Sequence, residues 1–113
     1  MRHDQDRLLD VVDAARAIGR FIARHDAATF GADDLVRSAV CAKLTILGEA
    51  VRNLSQSFTD GHPQIPWAQI VGTRNRITHG YDQVDYALVW QIATVDVPKL
   101  LTDVEIILAS QTD

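Results

Sequence analysis

Apolar residues return at three- and four-residue steps along almost the whole chain, and no stretch sustains the two-residue alternation of a strand. From about Asp4 to His25 the stripe is Leu8, Val11, Val12, Ala15, Ile18, Phe21 and Ile22. Asp10, Asp13, Arg16, Arg20 and Arg24 fill the other positions. That spacing puts one apolar face along a helix, and acids early with arginines late suit its dipole. The pattern predicts an all-α fold, most simply a four-helix bundle.

The other helices follow from the same periodicity. "DAATFGADD" reads as a break, with Gly31 and the Asp33–Asp34 pair turning into a second helix from about Ala32 to Ser57. Its stripe is Leu35, Ala39, Val40, Ile46, Leu47, Ala50, Val51 and Leu54. A helix of that length would outreach a small bundle and could touch a partner. Gly61, Pro63 and Pro66 mark "TDGHPQIPW" as a loop. A short third helix is expected from Pro66 or Trp67 to near His79, with Gly80 as its stop. A fourth is expected from about Val84 to Ser110, kinked or divided at Pro98.

The 113 residues make one domain, 1–113, long enough to bury a core without staples. One cysteine, Cys41, excludes an internal disulfide and a cysteine cage for a metal. It lies in an apolar run and reads as a buried, inert thiol. His3, His25, His62 and His79 share no ligand-like spacing, so no metal and no other cofactor is expected. No long uncharged apolar segment is present, and "MRHDQDRLLD" carries no signal-like apolar core, so a membrane span and secretion are not expected. A cytoplasmic location fits.

The formal net charge is −4. That argues against indiscriminate binding of nucleic acid, which needs a broad cationic surface. The distribution is uneven: residues 82–113 hold one Lys against six acids. Residues 73–81, "TRNRITHGY", collect two arginines, an asparagine, a histidine and a tyrosine with no acid among them. A guanidinium grips phosphate oxygens in a two-pronged contact, and an imidazole moves protons near neutral pH. A ribose 2′-hydroxyl is itself a nucleophile. Arg74 and His79, helped by Asn75, therefore meet the minimum requirement for cutting RNA without a metal. On a regular helix, however, positions five apart differ by about 140° and ~7.5 Å, so they do not share a face. Either the helix ends before His79, or the site is composite across a symmetric dimer, or both. A solvated, capped helix end would explain the same residues with no chemistry.

The string Arg74-Asn75-x-x-x-His79-x-Tyr81 resembles the RxxxxHxY signature of HepT-type HEPN proteins. "FGADDLVRSAV", "ILGEAVRNLS", "IPWAQIVGTRNRITHGYDQVDYALVW" and "VDVPKLL" are similar to further segments of that family in the same order, from about Asp4 to Leu108. Thr73 and Thr78 depart from it, standing where bulkier apolar residues are common. The resemblance implies an all-α HEPN-like bundle that dimerises. It implies a metal-independent endoribonuclease toxin whose two motifs meet in a cleft at the dimer interface. Arg74 and His79 would be catalytic and Asn75 supporting. Tyr81 would receive AMP from an MntA-type minimal nucleotidyltransferase antitoxin. A bulky anion appended there would occupy the cation meant for RNA. A non-catalytic HEPN module that binds RNA or nucleotide, or docks a nucleotidyltransferase, is the alternative, and a plain helical dimerisation subunit is the third.

Other residues have two readings each. Glu49 is either a helix acid paired with a cation or a group orienting an arginine at the cleft. Arg52 and Arg76 are solvated charges or line an RNA groove. Trp67, Trp90 and Tyr86 read as packing anchors before they read as base-stacking platforms.

Overall fold

The computed structural model describes residues 2–78 and 83–111. Their order is α1 (Arg2–Ile22), α2 (Ala27–Ala32), α3 (Asp34–Arg52), α4 (Gln56–Asp60), α5 (Trp67–Val71), α6 (Thr73–Ile77) and α7 (Tyr86–Gln91). A π-helical segment, Ile92–Asp96, and α8 (Val97–Gln111) complete it. The only pairing outside helices among the described residues is an isolated antiparallel bridge between Thr78 and Val84. The fold is all-α, as the periodicity predicts. Among the described residues no helix is long and apolar enough to cross a membrane.

α1 packs along both α3 and α8, while α5 and α6 lie against α3. The stripe of α1 is the centre of the core: Leu8, Val11 and Ile18 have no exposed surface, and they meet Val40 of α3 and Val104 of α8. Each such side chain contributes about 1.5–3 kcal/mol by leaving water. Phe30 of α2 is buried against Trp90 of α7, ring centroids 5.2 Å apart.

Four expectations need correction. The "DAATFGADD" break holds a helix of its own, α2, because Asp26 and Thr29 form a reciprocal capping box. α3 starts two residues late, with Asp33 as its cap. It ends at Arg52 rather than Ser57. There Asn53 leaves helical register, and Ser55 turns extended to cap α4, its Oγ accepting from the Phe58 amide at 3.2 Å. Asp4 of α1 fixes that turn by accepting from both the Ser55 amide (2.8 Å) and its hydroxyl (2.7 Å). α3 is therefore not long enough to reach out of its bundle. The third helix is broken at Gly72 into α5 and α6 and stops at Ile77, short of His79. A side chain at Gly72 would come within 3.3 Å of the Ala68 carbonyl oxygen, a tight contact that a small shift of the backbone would have to relieve. In the fourth helix Pro98 acts as expected. Its ring and missing N–H oppose a regular turn, and the helix widens just before it, the Val97 amide donating to Ile92 five residues back.

Candidate active site

α6 is a single short turn whose faces have separate duties. Thr73 and Ile77 are buried, where they meet both the core and the base of the cleft beside α6. Arg74 is exposed on another face and stands in a cleft of about 370 Å³ between α6 and α3. The opposite wall is one face of α3: Cys41, Thr45, Gly48, Glu49 and Arg52, at helical spacing. Ile70 and Val71 of α5 form the floor with Leu44.

The end of α6 is locally determined. Thr78 adopts an extended backbone (φ −100°, ψ 125°), and its hydroxyl donates to the Arg74 carbonyl at 2.9 Å, closing the last turn. The Asp85 amide donates to the Ile77 carbonyl at 2.6 Å. Thr78 bridges Val84, and both line the same cleft as Arg74. His79 and Tyr81, two of the expected site residues, lie outside the described residues. Asn75 is exposed. It sits about 100° round the helix from Arg74, outside the cleft's lining.

Glu49 and Arg52 form an ion pair one turn apart, Oε1 to Nη1 3.2 Å, with both side chains more than half exposed. Glu49 is thus the paired helix acid, and it also faces the cleft. Arg52 does likewise, while Arg76 does not. Arg76 is half-buried on the far side of α6, 3.9 Å from Asp96 of the π segment, beside a smaller apolar cavity of about 120 Å³. At the charged mouth of that cavity Arg76 and Lys99 each face an acid, Asp96 and Asp103. Among the described residues the charged groups of the larger cleft are two arginines against one glutamate, a surplus of one positive charge. Burial pushes the Cys41 thiol above its ordinary pKa, and the nearby Arg37 charge offsets this only in part. That shift keeps the thiol protonated at neutral pH, although Cys41 is only half-buried and borders the cleft.

Trp67, Trp90 and Tyr86 are packing groups. Trp67 is buried and donates from Nε1 to the His62 carbonyl at 3.0 Å. Tyr86 carries the Arg37 guanidinium 4.5 Å above its ring, while Arg37 also donates to the Gly31 carbonyl at 2.7 Å. Among the described residues no three His, Cys, Asp or Glu side chains gather as metal ligands.

A cleft with arginines on two walls, closed below by apolar side chains, suits a polyanion with apolar parts. The family model for HepT-like ribonucleases matches residues 11–107, which take in α3, the cleft and residues 73–81. The chain belongs to the HepT-like ribonuclease family. It is 37% identical over 100 residues to a Methanocaldococcus jannaschii protein named "Putative RNase MJ1380", covering 88% of this chain and 92% of that one. It is 32% identical over 99 residues to "Probable ribonuclease HepT" of Thermococcus cleftensis, covering 88% and 90%. No solved structure matches this HepT-like ribonuclease significantly. Glu49 and Arg52 are the cleft residues that sequence reading left undecided. Their i, i+3 spacing predicts a shared face, but only the packing of α5 and α6 on α3 turns that face toward Arg74.

Proposed function

We propose that this HepT-like ribonuclease is a metal-independent endoribonuclease toxin and that its site is built on Arg74, Asn75 and His79. The observation that carries the reading is positional. Arg74 stands in the cleft, and Thr78, just before His79, and Val84, two residues after Asp82, line that same cleft. The helix ends at Ile77, which removes the obstacle that a continuous helix would place between Arg74 and His79.

In the proposed step His79 takes the proton of a ribose 2′-hydroxyl. The freed oxygen attacks the adjacent phosphorus, the bond from phosphorus to the 5′-oxygen breaks, and the departing oxygen receives a proton. Arg74 holds the phosphate and stabilises the charge that builds on its oxygens. Asn75 supports by hydrogen bonding. The products are a 2′,3′-cyclic phosphate and a 5′-hydroxyl. RNA is the substrate and a homodimer the working unit, with the two motifs meeting at the subunit interface. A cognate MntA-type minimal nucleotidyltransferase is the antitoxin. In that inactivation the Tyr81 phenol attacks the α-phosphorus of ATP and pyrophosphate leaves. The bound AMP then places a phosphodiester against the arginines of the cleft.

Purified protein is incubated with RNA in EDTA, alongside Arg74→Ala and His79→Ala. Cleavage that survives chelation, ends in cyclic phosphates and falls by about 10²–10³-fold in either variant is expected. Cleavage by Arg74→Ala at the parent rate would overturn the assignment. Intact mass of protein made with and without the antitoxin reads the modification: one AMP per protomer, absent from Tyr81→Phe.

A further inference from the structure

We infer that Arg52 is a second phosphate subsite of the cleft and that Glu49 is its built-in competitor, a carboxylate that engages the guanidinium until an RNA phosphate displaces it. The inference rests on the RNA-cleaving reading above and deepens it.

Arg52 and Arg74 belong to different helices and line one cleft, with apolar Leu44, Ile70 and Ile77 also in its lining. Cations on two walls with apolar surface among them match a strand whose charged phosphates alternate with sugars and bases. Among the described residues arginine stands at both cationic positions and no lysine lines the cleft. The planar fork of donors fits phosphate oxygens as it fits a carboxylate.

The Glu49–Arg52 contact has the properties of a displaceable partner. It joins neighbours on one helix face at 3.2 Å, and both side chains stay wet, at 61% and 56% exposure for Arg52 and Glu49. Pairs so exposed are weak, a factor of about five at most in an equilibrium. Glu49 also halves the charge its two cations would otherwise offer. A chain of net charge −4 thereby keeps RNA affinity low until a strand can engage both arginines.

Binding is read separately from cleavage. An RNA oligonucleotide carrying 2′-O-methyl on every ribose has no attacking hydroxyl, and its Kd is followed by fluorescence anisotropy over a salt series. Arg52→Gln is expected to weaken binding by about three- to tenfold and to flatten the log–log salt slope by roughly 0.7, the value of one lost single-strand phosphate contact. On unmodified RNA it raises KM and leaves kcat within about twofold of the parent. Glu49→Gln is expected to tighten binding by about two- to fivefold. In the Arg52→Gln background that gain should largely vanish, since the carboxylate then has no cation to withhold. Both positions are solvent-facing, and matching melting curves confirm that the variants fold. An Arg52→Gln protein with parental Kd and slope overturns the subsite, and a Glu49→Gln protein that binds more weakly overturns the competitor. If the parent cleaves RNA while Arg52→Gln binds unchanged, the subsite alone falls. If the parent fails to cleave but Arg52→Gln loses RNA affinity, the cleavage reading alone falls. A parent that binds no RNA overturns both.

Discussion

At the scale of single residues, Asp4 does more for the architecture than its place near the start of the chain suggests. It is only 2% exposed, and its two carboxylate oxygens accept from the backbone and the hydroxyl of Ser55, 51 residues away in sequence. His3 beside it donates from Nε2 to the Asn53 carbonyl at 2.9 Å. Together they fix the point where α3 stops and α4 begins. Burial alone would raise the Asp4 pKa, but the two Ser55 hydrogen bonds, with a smaller pull from His3, outweigh it and hold it below the ordinary 3.8. The sign follows: the unfolded chain takes up the proton more readily, so this stabilisation is complete above about pH 3.8 and drains away as pH falls through the lowered folded value. Asp4→Asn should cost about 1–2 kcal/mol at neutral pH in urea unfolding, and its deficit should shrink in strong acid, where the parent has also lost the carboxylate. A deficit that stays constant with pH would assign the loss to packing instead. Residue chemistry and motif together singled out Arg74, which stands exposed in the cleft. Asp4 was not, because nothing local in "MRHDQDRLLD" shows which distant hydroxyl it will meet.

At the scale of elements, periodicity was legible and interruption was not. The stripe from Leu8 to Ile22 defines α1, and Pro98 marks the widened turn ahead of α8. Leu54 misled the reading of α3. It is buried and in phase with the stripe, yet it lies beyond the helix end, where the chain has already turned toward Ser55. Ile77 misled in the other direction. It is buried as expected, but α6 ends on it because Thr78 closes the turn and pairs with Val84. Competing side-chain bonds to the backbone decided both, and they leave no periodic trace. Within α1 the same reasoning locates slack. Gly19 is exposed, and a side chain there would meet nothing within 4 Å. Gly19→Ala should stabilise the protein by about 0.5–1 kcal/mol, read as a raised Tm. RNA cleavage should be unaffected, because Gly19 lines neither cavity.

At the scale of the whole molecule, one protomer offers a modest site for a polyanion. Among the described residues that line it, its cleft gains one net positive charge, while the chain as a whole is at −4. A two-fold dimer would double the cations facing one strand without changing any residue, which would give the proposed pairing around this cleft its physical reason. The proposal that the two motifs meet across the interface has a consequence that a single-protomer site lacks. Let Arg74→Ala and His79→Ala proteins be mixed under conditions that exchange subunits. If each site takes its arginine from one copy and its histidine from the other, a mixed dimer carries one dead site and one intact site. Half the dimers in an equal mixture are mixed, so activity should return to about a quarter of the parent value, although each variant alone is inactive. If both groups come from the same copy, every site in the mixture lacks one of them and the activity stays at the level of the single variants. Initial rates of RNA cleavage before and after exchange decide between the two, and light scattering on the same samples verifies that the exchanging species is a dimer.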